Sequence, residues 1–471
     1  MDASLTSRSP GSAPEIAELL GPALRGPVLQ SGDAGYDEAR RVWNGMVDRR
    51  PAAIARCACT QDVRVVVDFA RAHALPLAVR GGGHSYAGKS VCDGGLVLDL
   101  SAMGGTDVNA RARVARVQGG ATWAELDGAT QEYGLATTGG VISHTGVAGL
   151  TLGGGVGYLA RKAGLAVDNL LGADVVTAEG RLVRASTTEN PDLFWALRGG
   201  GGNFGVVTSL DLRLHELGPE VLAGYLIHPP EAAADCLRFY RDFMATAPDE
   251  LACYALFGVL PPTTPAVPKT RPGQTVLYLA VCYCGPLSEG EHALRPLRAF
   301  GGPLLDAIAP MPYTAFQRCF DAGQAPGQRR YMKALYIDRL PDALIASLAR
   351  DVVPVPSPLS LVFLEALGGA VARVPPAATA FPHRHAAFSL GIAAGWTDPA
   401  EDATHIAWAR ALYRTLAADG TGVYSNYLDR DDGARVPTAY GLNYERLRRL
   451  KRRWDPNNLF QGNAPITPAA D

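Results

Sequence analysis

Val79-Arg80-Gly81-Gly82-Gly83-His84-Ser85-Tyr86-Ala87-Gly88 runs from a short apolar strand, opened by Pro76, into a glycine triplet that ends on a single histidine. Glycine tolerates positive φ and lets a ligand or a second backbone come close, at an entropic cost on folding. Successive N–H groups in such a turn form a concavity suited to an anion. The loop thus sets an imidazole, which is a nucleophile as well as an acid–base group, beside a candidate diphosphate nest.

Further glycine clusters follow at Gly139-Gly140, at Gly149 with Gly153-Gly154-Gly155 and Gly157, and from Gly199 to Gly202 with Gly205. Taken singly, each reads as a tight turn. Together, in a chain where 53 residues are glycine, they favour a large ligand lying along the backbone. Gly200-x-Gly202-x-x-Gly205 spells a dinucleotide fingerprint. That fingerprint needs a strand before it and a helix after it. Here a helical stretch (191–197) precedes and an alternating strand (206–214) follows, so a nicotinamide-dehydrogenase fold is excluded.

The 471 residues are 47% hydrophobic and 19% charged, which excludes global disorder. A length of this order fits two or three domains, or one large fold with an insertion. Forty-four basic against 46 acidic residues leave a net charge of −2; nucleic acid is not the expected partner, because phosphate binding needs a basic surplus. The first 20 residues lack a secretory pattern, and no apolar run reaches the ~20 residues of a membrane span. The expectation is a cytoplasmic protein without a membrane partner. Eight scattered cysteines form no disulfide framework. Cys57/Cys59 and Cys282/Cys284 read as small core residues. No histidine spacing suits a metal.

Outward from the histidine loop, residues 1–35 read as a loose lead-in and 37–43 as helical. Val63, Val66, Val67, Phe69 and Ala70 give 62–73 a helical period. Thr122 with Glu125 predicts a capping box before a helix ending at Gly134. Glu179-Gly180 marks a hairpin turn, and Pro191 a first helical turn. From about Glu216 long β-type runs appear at 222–227, 251–260, 275–283, 331–337 and 359–364, with helices at 232–245, 341–351 and 402–417 between and after them. Five prolines make 261–272 a loop. The middle third reads as an antiparallel sheet with helices on one face. A helix at 443–454 closes the chain, and its Arg446, Arg448, Arg449, Lys451, Arg452 and Arg453 read as a solvated face.

Taken together, Arg80–Ser85, the run Gly153-Gly-Gly-Val-Gly-Tyr-Leu-Ala-Arg-Lys-Ala-Gly164, Asp168-Asn169, the run from Asp192 to Gly205 and the terminal Trp454-Asp-Pro-Asn-Asn-Leu-Phe460 resemble the berberine bridge enzyme-like FAD-linked oxidoreductases. These have the PCMH-type FAD-binding fold of the vanillyl-alcohol oxidases. The resemblance implies an α+β protein: a two-lobed FAD-binding domain over 1–215 (core about 50–215), a substrate domain over 216–420 with an antiparallel sheet backed by helices, and a segment, 421–471, returning to the FAD domain. It implies that Gly81, Gly82, Gly83 and Ser85 wrap the diphosphate and that His84 is bonded to the flavin 8α-methyl. By the same match Arg80, Gly88, Gly140, Thr145, Gly146, Gly149, Gly153, Asp168, Asn169, Gly205, Val207 and Asn463 contact FAD. Many relatives add a cysteinyl link in G-x-C-P-x-x-G. The matching stretch is Gly140-Val141-Ile142-Ser143-His144-Thr145-Gly146, where Ile142 cannot form a thioether. A single link through His84 is expected. Thr145 also replaces a small apolar residue that influences oxygen access.

Tyr424-Ser425-Asn426-Tyr427 resembles the family's Y-x-N-Y element, whose second tyrosine is the usual base. A tyrosine at its ordinary pKa of about 10 needs that value lowered to act near neutrality, which Tyr424 or a nearby cation would supply. Glu365 interrupts an apolar strand and is a second candidate, since buried carboxylates need partners. The glutamate base of some plant relatives would fall near Leu390, and His383 reads as structural. The expected activity is hydride transfer from a C–H bond of a small molecule (alcohol, sugar hydroxyl or secondary-metabolite scaffold) to FAD, with O₂ as acceptor. A flavin dehydrogenase with another acceptor and a non-enzymatic binder are the alternatives. Oligomeric state and substrate stay open.

Overall fold

The computed structural model describes residues 13–260 and 273–470; the proline loop expected at 261–272 lies outside them. Strands Ala53–Arg56, Leu96–Asp99 and Leu77–Arg80 pair in parallel. The central strand, Leu96–Asp99, is buried at every position, as a parallel strand covered on both faces must be. Helix Thr60–Ala72 is the crossover, and it buries Val63, Val66, Val67 and Ala70. The described end of the supposed loose lead-in, residues 25–30, is part of this layer. Val28–Gln30 pairs antiparallel with Ala53–Arg56, and Asp62 accepts from the N–H groups of Arg25 and Gly26. The helix expected at 37–43 shrinks to the single turn Tyr36–Ala39.

A second layer is a five-stranded antiparallel sheet in the order Thr106–Asn109, Val114–Gln118, Val206–Arg213, Leu170–Val176, Leu182–Ser186. One face carries an ion-pair ladder across strands, with Arg116 on Asp211 at 3.1 Å and Arg184 on Asp174 at 3.2 Å. The capping box forms: the Thr122 N–H donates to Glu125 at 2.7 Å. Gly180 turns the predicted hairpin at φ +71°. Helix Pro191–Leu197 precedes the Gly199–Gly205 loop and a strand follows it, the reverse of a dinucleotide fold.

The third layer is an eight-stranded antiparallel sheet over 220–396. Helices Ala233–Thr246, Asp342–Asp351 and Asp402–Leu416 lie at the expected places, and Leu287–Ala299 is a further one. Leu237, Tyr240, Leu344, Leu348 and Leu412 pack with Ala255, Phe257, Val362 and Leu364. Side chains alternate across a strand, so Tyr254, Leu256, Phe363 and Glu365 turn to the opposite face. Phe388–Trp396, an unanticipated strand, runs between Leu361–Ala366 and Arg329–Ile337. Its Gly391 leaves room for the Phe363 ring, which a Cβ there would meet at 2.2 Å.

The closing helix, Tyr444–Trp454, packs on Pro191–Leu197. Its basic run is not simply a solvated face. Arg446 stacks over Trp195 at 3.7 Å, Arg453 pairs with Asp192 at 2.7 Å, and Lys451 is fully buried against Asp455 at 2.5 Å. Among the described residues, no helix is long and apolar enough to cross a membrane.

Candidate active site

A cavity of about 350 Å³ runs between the glycine loops and the free face of the eight-stranded sheet. Gly81, Gly82, Gly83, His84, Ser85, Gly140, Thr145, Gly146, Gly149, Gly205, Val207 and Asn463 line it, and so do Glu365, Tyr424 and Tyr427. Residues from three distant stretches of sequence therefore meet on one surface.

The histidine loop is held tightly. A Cβ on Gly82 would lie 2.3 Å from the Gly146 nitrogen, and one on Gly146 2.4 Å from that of Gly82; only two glycines let these loops touch. Ser85 Oγ donates to Asn463 Oδ1 at 2.6 Å, which ties the loop to the closing segment. His84 stacks on Trp43, centroids 4.9 Å apart and planes 19° from parallel. Its Nε2 lies 2.7 Å from His144 Nδ1 and its Nδ1 3.4 Å from Thr145 Oγ1. Burial, and then the neighbouring His144, push the His84 imidazole down to about 3. The ring is neutral over the physiological range and keeps a lone pair.

Five other residues expected at the ligand stand behind the wall. Arg80 turns away to the carbonyls of Ala39 and Arg41. Gly88 sits at φ +67° against Val47, and Gly153 faces Asn426. Asp168 pairs with buried Arg384 at 2.7 Å, and Asn169 donates to the carbonyls of Ala163 and Leu165. They shape the loops that form the surface.

At the far end, Tyr427 Oη donates to Glu365 Oε1 at 3.1 Å. The other carboxylate oxygen, Oε2, is buried without a hydrogen-bond partner among the described residues. Burial pushes Glu365 up to about 7, against weaker pulls from Ser389 and Tyr427. The expectation of a lowered tyrosine is not met: burial first, then the charge of Glu365, hold Tyr427 well above its ordinary value. Tyr424 does not assist it. Its oxygen accepts from the Gly155 N–H at 2.7 Å and from Asn426 Nδ2 at 2.9 Å, so it pins the Gly154–Gly155 turn. Leu390 faces the helices in the opposite core, and His383 is structural, its Nε2 on the carbonyls of Thr438 and Ala439.

Trp43, His144, Tyr254, Leu256, Phe320 and Phe363 were not singled out for this site. Tyr254 lies directly across from Glu365 in register, a pairing that period-2 alternation carries only once the strand order is known. Within the described wall the charged residues are Lys89 and Glu365.

The residues suit a flavin dinucleotide. Among the described residues, no acceptor takes the backbone N–H groups of Gly82, Gly83, His84 or Ser85, and half-buried donors of this kind call for a partner. At Gly149 and Gly202, also on the wall, a side chain would meet open space. Residues 51–186 match the family model described as FAD binding domain, and 423–467 match the model for berberine and berberine-like proteins. (R)-6-hydroxynicotine oxidase of Paenarthrobacter nicotinovorans is 32% identical over 466 residues, covering 95% of this chain and 97% of the relative. Xylooligosaccharide oxidase of Thermothelomyces thermophilus is 30% identical, covering 94% and 92%. The crystal structure of 6-hydroxy-D-nicotine oxidase from Arthrobacter nicotinovorans superposes with a TM-score of 0.84 at 30% identity, covering 95% of this chain and 98% of the other. Fold and site define an FAD-linked oxidoreductase of the PCMH type. The chain belongs to the berberine bridge enzyme-like family of these enzymes.

Flavin retention is expected to depend on the contact between the two loops. Gly146→Ala forces them apart by placing a methyl on the Gly82 backbone. Its purified protein is expected to carry at least about tenfold less FAD, the effect of ~1.4 kcal/mol lost in binding. Gly128→Ala, on an open helix face, keeps the wild-type content; absorbance at 450 nm against 280 nm checks both.

Proposed function

We propose that this protein is an oxidase that takes hydride from a C–H bond of a small, largely apolar alcohol, phenol or amine, with O₂ as the final acceptor. FAD, when bound, supplies the hydride acceptor. The observation that carries the reading is the Tyr427–Glu365 hydrogen bond of 3.1 Å in the cavity wall.

A phenol held well above its ordinary pKa is a poor base by itself. Paired with a carboxylate poised near neutrality, it becomes a relay. Tyr427 accepts the substrate proton as its own passes to Glu365 Oε1, so Glu365 is the terminal base. Its value of about 7 suits that role, because a base works best when poised near the operating pH. Tyr254 lies across from Glu365 and Phe363 edges Tyr427, and Leu256, Leu361 and Phe320 line the same cavity, an apolar surface that fits an aromatic or alicyclic scaffold. A sugar would leave hydroxyls buried without partners on such walls, at a cost of about 1–3 kcal/mol each.

His84 is the proposed point of covalent attachment. Its ring is neutral and lines the cavity. Ile142 occupies the wall where relatives carry a cysteine, and no cysteine lines the described wall, which supports a single link. Thr145 beside His84 bears on oxygen access.

Anaerobic mixing with a panel of apolar alcohols, phenols and amines, with oligosaccharides alongside, tests this. The flavin is expected to bleach with a member of the apolar set and to recover on admitting air, with H₂O₂ formed. Tyr427→Phe should slow bleaching by about 100-fold or more, as loss of a positioned proton acceptor does, at unchanged flavin content. Bleaching without recovery in air would mark a dehydrogenase with another acceptor. Fast bleaching of Tyr427→Phe would overturn the relay.

A further inference from the structure

His84 has two ring nitrogens, and the structure treats them differently. Nε2 meets His144 Nδ1 at 2.7 Å, and His144 is not part of the cavity wall. Nδ1 lies on the side of Thr145, which is. The short contact holds one proton in either of two ways. If His144 donates it, the proton of His84 sits on Nδ1 and no lone pair faces the cavity. If His84 donates it, Nδ1 is bare. Which nitrogen of a histidine is protonated is set by the hydrogen bond the other makes.

We propose that His144 is a positioning residue for flavin attachment: it accepts the Nε2–H of His84, leaving Nδ1 as the nitrogen that bonds to the flavin 8α-methyl carbon. This rests on the reading that His84 carries the link. The far nitrogen of His144, Nε2, is buried with no hydrogen-bond partner among the described residues, so no other described group fixes the tautomer of His144. Trp43, stacked on His84, keeps the imidazole from rotating out of this arrangement.

The step balances as follows. A bond forms between His84 Nδ1 and the methyl carbon, and one C–H bond of that methyl breaks. The Nε2 proton of His84 passes to His144. The methyl carbon loses two electrons, which pass into the isoalloxazine and leave it on dioxygen. Overall the imidazole and the methyl lose one hydrogen each, and O₂ gains both as H₂O₂.

The test uses full-length apoprotein, wild type and variants, from riboflavin-starved cells, mixed with FAD in air. The fraction of flavin that stays with acid-precipitated protein is followed with time. Wild type is expected to attach FAD at His84, with Nδ1 identified as the linked atom by NMR of the flavin peptide. His144→Ala should bind FAD but attach it at least about 100-fold more slowly, the lower end of what a positioned proton acceptor contributes. Added imidazole should restore part of that rate. His144→Asn offers an acceptor that cannot take a proton; it should keep the Nδ1 linkage at a slow rate independent of pH. Noncovalent flavin content and circular dichroism of each variant separate slow attachment from misfolding. No covalent flavin in wild type would sink the His84 reading itself. A wild type linked at His84 through Nε2, or His144→Ala attaching at the wild-type rate, would overturn the role of His144 alone.

Discussion

Glu365→Gln is expected to lower the rate of flavin reduction by about 100- to 10,000-fold, the span over which a positioned acid–base group acts, with FAD still bound. Glutamine keeps an oxygen for the Tyr427 hydroxyl to donate to, so the hydrogen bond of 3.1 Å has no reason to break. What it removes is the ability to take a proton. The pH profile gives the sharper reading. Burial raises Glu365 to about 7, and the relay needs the carboxylate. Wild-type flavin reduction should therefore rise with pH through about 7 and level off above it, and the variant should lose that limb. Stopped-flow reduction from pH 5.5 to 8.5 measures both. An unchanged ascending limb in Glu365→Gln would assign it to another group and remove Glu365 from the proposal.

The pairing behind this expectation shows what the sequence makes legible and what it hides. The glycine clusters and His84 are local features, and a loop motif carries its own geometry. The order of helix and strand around Gly205 was likewise readable from proline, asparagine and alternation. Glu365 stood out because a carboxylate in an apolar strand needs a reason. Its partner did not follow from the sequence: Tyr427 and Glu365 are 62 residues apart and meet only because Leu361–Ala366 lies inside the eight-stranded sheet. Two strands escape the sequence pattern for different reasons. Residues 1–35 read as loose because a strand of three residues, Val28–Gln30, leaves no pattern in the sequence, yet an edge strand is held by its neighbour's hydrogen bonds. Phe388–Trp396 was missed because glycines at 391 and 395 dilute the β pattern, although they are what admits Phe363 and Arg330 against the strand. Arg80 shows the limit of a motif match: its guanidinium secures carbonyls behind the loop instead of reaching the cavity.

Lys451→Met should destabilise the protein by about 3–5 kcal/mol, the cost of leaving a buried charge without its partner. Position alone makes Lys451 look like one cation in a basic helix face, but its side chain is fully buried. Its ammonium donates to Asp455 at 2.5 Å, to the Asn203 carbonyl at 2.7 Å and to the Phe460 carbonyl at 2.6 Å. All three of its donors are thereby used. Asp455 in turn accepts from the N–H groups of Leu459 and Phe460. The pair therefore fastens the Gly199–Gly205 loop to the 460–464 segment, and both contribute to the cavity wall. Removing the cation orphans two carbonyls and strands a carboxylate, so the thermal midpoint and flavin retention should fall together. Lys451→Met combined with Asp455→Asn removes the stranded charge while keeping an acceptor for the 459–460 turn. The double variant should regain part of the stability lost by the single one. A single variant that melts with wild type and keeps its flavin would mean that the closing segment is held by its apolar contacts, Phe460 in the cluster with Leu77 and Ile466 in the core, without help from this charge.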